Sequence, residues 1–143
     1  MQKEKKELLN LTIQALDDAD QGLVEFKKAF ITASDALEDG SDKQAYQAIS
    51  QITPRLQEFA EFSATVLDNS RNWLDDDEIK ELYDLNQQLQ NTVTAIINSA
   101  ENKDLFDVAD GLRVDMVNIM NGYSEAFTDV RKKLEPYQQE AQQ

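Results

Sequence analysis

The feature that most constrains this chain is the spacing of its apolar residues, which recur at alternating intervals of three and four almost from end to end. This spacing puts the apolar side chains on one face of an α-helix, whereas a half-buried strand would alternate with a period of two. The pattern is interrupted by short polar stretches at 39–42, 74–77 and 101–104. We therefore expect an all-α protein with four helices.

The signals at the interruptions predict where each helix begins and ends. Gly40 follows the first apolar run and suits a residue that ends a helix. Asp75 and Glu78 have the spacing of a capping box, in which each side chain binds the backbone of the other residue. Pro136 is expected to end the fourth helix. The predicted helices cover 3–39, 42–73, 76–101 and 104–135, within a single domain at 1–137 that is followed by a frayed polar tail at 138–143.

Short connections between long helices predict antiparallel neighbours, and the apolar faces can be tested for this arrangement. When the helices are folded back at the three turns, large and small side chains fall into matching layers. Two examples are the layers Phe30/Ile52/Ile96/Ala109 and Leu23/Phe59/Leu89/Met116. The sequence thus predicts an up-down-up-down antiparallel four-helix bundle.

Pro54 interrupts the second helix at a position that points away from its apolar face. Because proline removes a backbone donor and crowds the preceding turn, it bends or breaks a helix. The in-phase apolar residues on both sides of Pro54 favour a kinked but continuous helix. The alternative is that Thr53 caps a new helix and leaves 42–52 as a separate segment.

Composition excludes several classes of function. The 143 residues include no histidine and no cysteine, so histidine-based triads and zinc sites with histidine or thiolate ligands are not available. A net charge of −14 disfavours binding to phosphate backbones and to anionic membranes. No apolar run has the length of a signal sequence or a membrane span. We expect a cytoplasmic protein that is not an enzyme and that uses no cofactor, metal, nucleic acid or membrane.

A second stripe runs along the fourth helix beside its main apolar face, and we call it the fourth-helix stripe. Its members repeat every seven residues and are Phe106, Arg113, Met120, Phe127 and Leu134. The first helix carries Val24 and Ile31 on a side that should face solvent. Such extra apolar residues indicate either deeper burial within the bundle or a surface for a partner. We take Phe106, Met120, Phe127, Leu134, Val24 and Ile31 as the candidate partner-binding residues.

Polar residues on the core face suggest a different site. They all lie in the half of the bundle nearest the second turn, where a cavity could bind a small molecule. The candidate ligand-binding residues are Thr12, Ser63, Ser70, Tyr83, Asn86 and Tyr123. The structural alternative is that Asn86 specifies helix register, with Ser63 in the same layer as its partner.

These observations favour a helical-bundle protein that binds another protein or a second copy of itself, in the manner of a chaperone or adaptor. In size, charge and lack of histidine the chain resembles the export chaperones of flagellar and type III secretion systems. This resemblance of composition implies a helical, protein-binding function and assigns no individual residue. The alternatives are a small-molecule-binding bundle that uses the polar half of its core and a self-associating structural bundle.

Overall fold

The computed structural model describes residues 2–40 and 42–141, and within these ranges the chain is helical, with no strand. Three helices are α1 (Gln2–Glu38), α2 (Asp42–Ser70) and α3 (Lys80–Glu101). A fourth continuous helix follows and extends to Ala141. The prediction of an all-α protein with four helices is confirmed, and the arrangement is consistent with a helical bundle.

The fourth helix is continuous but not uniform. It begins as an α-helix at Leu105–Asp110, widens into a π-helical segment at Gly111–Met116 and returns to α-helix at Val117–Ala141. A π-helical segment accommodates a wider turn than the α-helix, and such segments are frequent at functional sites. This segment therefore interrupts the regular α-helix between Asp110 and Val117.

The connections use the capping chemistry that the sequence indicates. Gly40 adopts the left-handed conformation, with φ of 79°, directly after α1. The Asp75 backbone N–H donates to Glu78 Oε1 over 3.1 Å, and the Glu78 N–H donates to Asp75 Oδ1 over 2.9 Å. This reciprocal pair confirms the expected capping box. It closes a tight turn ahead of α3, however, and α3 begins at Lys80 instead of 76. α2 ends at Ser70 instead of 73.

The two prolines lie inside helices. α2 is one helix from Asp42 to Ser70, so 42–52 is not a separate segment, and Thr53 donates to the Ile49 carbonyl within it. A kink at Pro54 stays a prediction. The expectation that Pro136 ends the fourth helix is wrong, because the helix continues to Ala141.

The missing N–H of Pro136 removes only one backbone donor from the helix. Beyond the proline, Gln138 donates to Asn10 of α1 over 3.1 Å and helps to hold this end in place. Residues 138–141 are therefore helical and are not the predicted frayed tail. The remaining tail positions, 142–143, lie outside the described residues.

A cluster of aromatic rings forms the centre of the core. Phe59 of α2 packs edge-on against Phe26 of α1 and Tyr123 of the fourth helix, with ring centroids 5.7 Å and 4.9 Å apart. Phe62 of α2 packs against Phe127 at 5.9 Å. Edge-to-face contacts of this kind add to the stabilisation from apolar burial. Rings from α1 and α2 therefore join the fourth helix in one core.

Glycines allow α3 to lie very close to the fourth helix. A Cβ atom on Gly122 would lie 2.8 Å from Leu85 Cδ2, and one on Gly111 would lie 2.9 Å from Ile96 Cγ1. Without a side chain at these two positions, the leucine and isoleucine of α3 can pack directly on the helix backbone. α3 contacts the fourth helix along all three of its segments and has a more limited interface with α2.

The antiparallel order of the four helices stays a prediction. Across residues 2–40 and 42–141, none of the helices combines the length and apolarity that a membrane span requires.

Candidate functional site

The fourth-helix stripe is mostly part of the core. Met120 and Leu134 are 0% exposed and Phe127 is 1% exposed. Phe127 lies among the rings of Phe59, Phe62 and Tyr123, which cover it completely. The expectation that Met120, Phe127 and Leu134 form a partner surface is therefore corrected. The stripe reflects deeper burial, because the fourth helix has neighbours on more than one side.

The other candidate partner-binding residues are exposed but dispersed. Phe106 is 81% exposed, Val24 is 45% exposed and Ile31 is 38% exposed. Phe106 lines a shallow depression of about 410 Å³ together with Leu37 and Arg113. Val24 and Ile31 are not among the residues that line it, so these side chains do not form one described surface.

Arg113, the polar member of the stripe, connects the fourth helix to α1. Its guanidinium donates to Asp35 and, over 3.4 Å, to Ser34 Oγ. Ser34 in turn donates to the Ala109 carbonyl, and Arg113 lies 4.0 Å from Glu38. These contacts give Arg113 a structural role between two helices.

Three of the six candidate ligand-binding residues meet in the core, and we call them the polar cluster: Ser63, Asn86 and Tyr123. Both hydroxyls donate to Asn86 Oδ1, Ser63 over 2.5 Å and Tyr123 over 2.6 Å. These two bonds use both lone pairs of the amide oxygen. The Asn86 Nδ2 group is buried and has no hydrogen-bond partner in the described structure.

The environment of the polar cluster favours neutral groups. Burial raises the pKa of Tyr123 well above its ordinary value, and the nearby Ser63 hydroxyl offsets part of this rise. Tyr123 therefore stays protonated near neutral pH and acts as a hydrogen-bond donor. The cluster joins α2, α3 and the fourth helix, which agrees with the pairing of Ser63 and Asn86 expected from the sequence.

The other three candidates do not join this cluster. Thr12 is buried, and its hydroxyl donates to the Leu8 carbonyl within α1 over 2.7 Å. Ser70 is fully buried, and its hydroxyl has no partner among the described residues. Tyr83 is 45% exposed. The six residues predicted from the sequence therefore do not line a single cavity.

An opening with aliphatic side chains lies between α2 and α3, and we call it the α2–α3 groove. Its outer part has a volume of about 630 Å³. Its inner part is a narrow apolar cleft with a volume of about 30 Å³. The lining residues of both parts come from α2, α3 and the floor formed by the fourth helix: Ile49, Ile52, Thr53, Leu56, Gln57, Ala60, Glu61, Leu89, Gln90, Val93, Thr94, Ile96, Ile97, Leu112 and Met116.

The walls of the groove are only partly covered. Ile49, Leu56 and Val93 are half-buried, and Ile97 is 42% exposed. The floor is contributed by Leu112 and Met116, which belong to the π-helical segment. On its opposite side, α3 packs closely on the fourth helix at Gly111 and Gly122.

The lining of the groove is aliphatic in its narrow inner part, and its outer part also carries the neutral polar side chains of Thr53, Gln57, Gln90 and Thr94. Of the described residues in the lining, Glu61 is the single charged one, and none is aromatic. Glu101, the last residue of α3, is exposed one helical turn beyond Ile97. The groove therefore has an apolar centre with carboxylates toward its two ends.

An acidic depression lies between α3 and the fourth helix. It has a volume of about 350 Å³ and contains Asp107, Asp110 and Asp115. The pKa of Asp107 is raised, first by a hydrogen bond with Asp104 and by the negative charge of Asp104. Desolvation and the negative charge of Asp110 raise the pKa further. In the part of the chain that the structure describes, no group of three or more acidic side chains is placed to hold a metal ion.

Sequence reasoning placed several groove residues in closed core layers and overlooked others. Ile52, Leu89, Ile96 and Met116 were assigned to layers of the bundle core. Ile97, directly after the core position Ile96, was not assigned to any site. This adjacent pair is a signal that α3 carries apolar surface beyond its core face.

Comparison of this chain with protein-family models, with curated proteins and with solved structures gave no match.

Proposed function

We propose that this chain is a non-enzymatic, cytoplasmic helical-bundle protein that binds another protein through the α2–α3 groove. The observation that carries this proposal is the partial exposure of Leu56, Val93 and Ile97 along one continuous apolar opening. Covering these aliphatic side chains with a partner segment would remove them from water, which is favourable. The proposal keeps the function expected from the sequence and moves its site from the fourth-helix stripe to the groove.

Groove geometry also favours a protein over a small molecule. The lining has few polar groups that converge on one point, whereas small-molecule pockets combine enclosure with precisely placed polar groups. An elongated apolar channel between two helices matches the recognition mode in which a partner segment lies along a groove. A chaperone-like or adaptor-like role follows from this mode of binding.

The test is a pull-down from an extract of the source cells with three baits. These are the unaltered chain, an Ile97→Glu variant in the groove and a Leu11→Glu variant on α1. Leu11 is 67% exposed, so the control adds the same charge at an exposed aliphatic position outside the groove. Circular dichroism should show that all three baits are folded.

We expect one stoichiometric partner to bind the unaltered chain and the Leu11→Glu variant and to be lost with Ile97→Glu. Equal recovery by all three baits would contradict the groove as the binding site. Absence of any specific partner would contradict the proposal as a whole.

A second candidate function rests on the unpartnered Nδ2 group of Asn86. A small ligand with a carbonyl or carboxylate oxygen could accept hydrogen bonds from this amide, as expected for the polar half of the core. Thermal stabilisation by such a compound, lost in an Asn86→Leu variant that still folds, would favour this alternative. Stabilisation that is unchanged in the variant would exclude the polar cluster as its site.

The finer architecture is part of the same proposal. We infer an up-down-up-down order, supported by contacts that pair early residues of α1 with late residues of the fourth helix. Asp17 contacts Arg131 over 2.8 Å, whereas Ser34, farther along α1, contacts the earlier residue Ala109. Under this order α2 and α3 are adjacent antiparallel helices, and the groove runs along their shared length.

A further inference from the structure

We propose that the occupant of the α2–α3 groove is a single amphipathic α-helix of about three turns, aliphatic on one face and carrying Lys or Arg toward its two ends. This inference rests on the proposed function and specifies the chemistry of the partner segment. Its basis is the length, lining and charge of the groove.

The length of the groove sets the length of the segment. On α2, lining residues extend from Ile49 to Glu61, which are twelve positions apart. At a rise of about 1.5 Å per residue this corresponds to about 18 Å, or a helix of roughly 12 residues. The partner helix thus matches the length of the α2 wall.

The chemistry of the lining selects a helix over other peptide conformations. Polyproline segments dock on aromatic grooves, and the described lining has no aromatic residue. Strand addition needs an exposed sheet edge, and residues 2–40 and 42–141 contain no strand. A helix, in contrast, satisfies its own backbone hydrogen bonds and presents only side chains to an aliphatic channel.

The charges around the groove specify the ends of the partner helix. Glu61 lies at one end of the lining, and Glu101 lies one turn beyond Ile97 toward the other. The chain as a whole carries a net charge of −14. A segment with Lys or Arg at each end would pair with these carboxylates and be attracted by the overall field. A second copy of the same acidic chain would be repelled, so we do not assign the groove to a homodimer.

The experiment uses three fluorescein-labelled synthetic peptides and the full chain. All three peptides have the same apolar face, with Leu or Ile at positions i, i+3, i+7 and i+10, and they differ only in having Lys, Gln or Glu at both ends. Fluorescence anisotropy gives the dissociation constants at low and high salt. The protein variants are Ile97→Glu, the control Leu11→Glu and the double variant Glu61→Gln/Glu101→Gln.

We expect the Lys-ended peptide to bind about three- to thirtyfold more tightly than the Gln-ended peptide at low salt, and the Glu-ended peptide to bind most weakly. Two exposed ion pairs would give a preference of this size. High salt and the Glu61→Gln/Glu101→Gln variant should both reduce the preference. Ile97→Glu should weaken binding of all three peptides, and Leu11→Glu should not.

The possible failures are distinguishable. Equal affinity for Lys-ended and Gln-ended peptides, with loss in Ile97→Glu, would overturn the charge inference and leave the groove as a binding site. Peptide binding that is insensitive to Ile97→Glu, or no binding at all, would overturn the assignment of a helix to the groove. Concentration-dependent dimerisation that Ile97→Glu abolishes would show that a second copy is the occupant.

Discussion

The fourth-helix stripe and the α2–α3 groove both carry apolar side chains, but those of the stripe are mostly buried and those of the groove are partly exposed. Met120, Phe127 and Leu134 lie beside the main apolar face of their helix and are completely buried. Leu56 and Val93 lie on the main apolar faces of theirs and remain partly exposed. The burial of a side chain therefore depends on how many neighbouring helices reach its position and on how closely they pack. The local spacing of apolar residues does not specify this.

α3 packs unequally on its two neighbours, with a more extensive interface on the fourth helix than on α2. Gly111 and Gly122 let Ile96 and Leu85 pack against the backbone of the fourth helix. Close packing on that side favours dispersion contacts, which decay steeply with separation. On the other side α3 meets α2 through the polar cluster, and the groove opens beyond it.

Replacing Phe127 by Ala should lower the free energy of unfolding by about 3–5 kcal/mol, because it leaves a cavity among three aromatic rings. Urea denaturation followed by circular dichroism measures this change. Phe106→Ala is the matched control, since Phe106 is 81% exposed, and it should cost less than about 1 kcal/mol. Similar losses for the two variants would mean that the stripe is not the buried region described here.

Asn86→Ala should lower the free energy of unfolding by about 2–4 kcal/mol. The substitution removes the acceptor of Ser63 and Tyr123 and leaves two buried hydroxyls without a partner. Asn98→Ala is a suitable control, because Asn98 is an exposed amide on the same helix. A cost for Asn86→Ala no larger than that of the control would show that the polar cluster does not hold α2, α3 and the fourth helix together.

Gly122→Val should lower the free energy of unfolding by about 1–3 kcal/mol, because the new side chain would overlap Leu85 and force α3 away from the fourth helix. Gly22→Val is the control, since a Cβ atom on Gly22 meets nothing within 4 Å. Denaturation midpoints at equal slope compare the two. If both valines have the same effect, close packing at Gly122 is not the cause of the asymmetry.

Ile97→Ala should change the free energy of unfolding by less than about 1 kcal/mol, since this side chain in the groove is 42% exposed. The adjacent Ile96, which is 9% exposed, should cost about 2 kcal/mol or more when replaced by Ala. Thermal or urea unfolding of the two variants would separate groove from core. A large loss for Ile97→Ala would indicate that the groove is closed in solution.

Much of the fold was predictable because it depends on local chemistry. The turn at Gly40 follows from the positive φ that glycine tolerates, and the Asp75–Glu78 pair follows from the reach of two acidic side chains. The helix ends were less predictable. Pro136 was expected to stop the fourth helix, but the helix continues to Ala141. The proline removes a single backbone donor, and Gln138 beyond it is hydrogen-bonded to Asn10 of α1.

The candidate site was predicted only in part. The pairing of Ser63 with Asn86 followed from matching the helix layers, and Tyr123 joins them from the next layer. The exposure of Leu56 and Val93 could not be derived, because layer matching shows which residues face each other and does not show the distance between the helices.

The sequence alone specifies the helical class, the four helices and the turn chemistry between them. It also specifies an acidic chain without histidine or cysteine. These properties depend on residue type and on contacts a few positions apart. Only the tertiary structure decided that the fourth-helix stripe is buried and that a groove opens between α2 and α3. The reason is that the burial of a side chain depends on contacts between helices far apart in the chain, such as the close fit of α3 on Gly111 and Gly122.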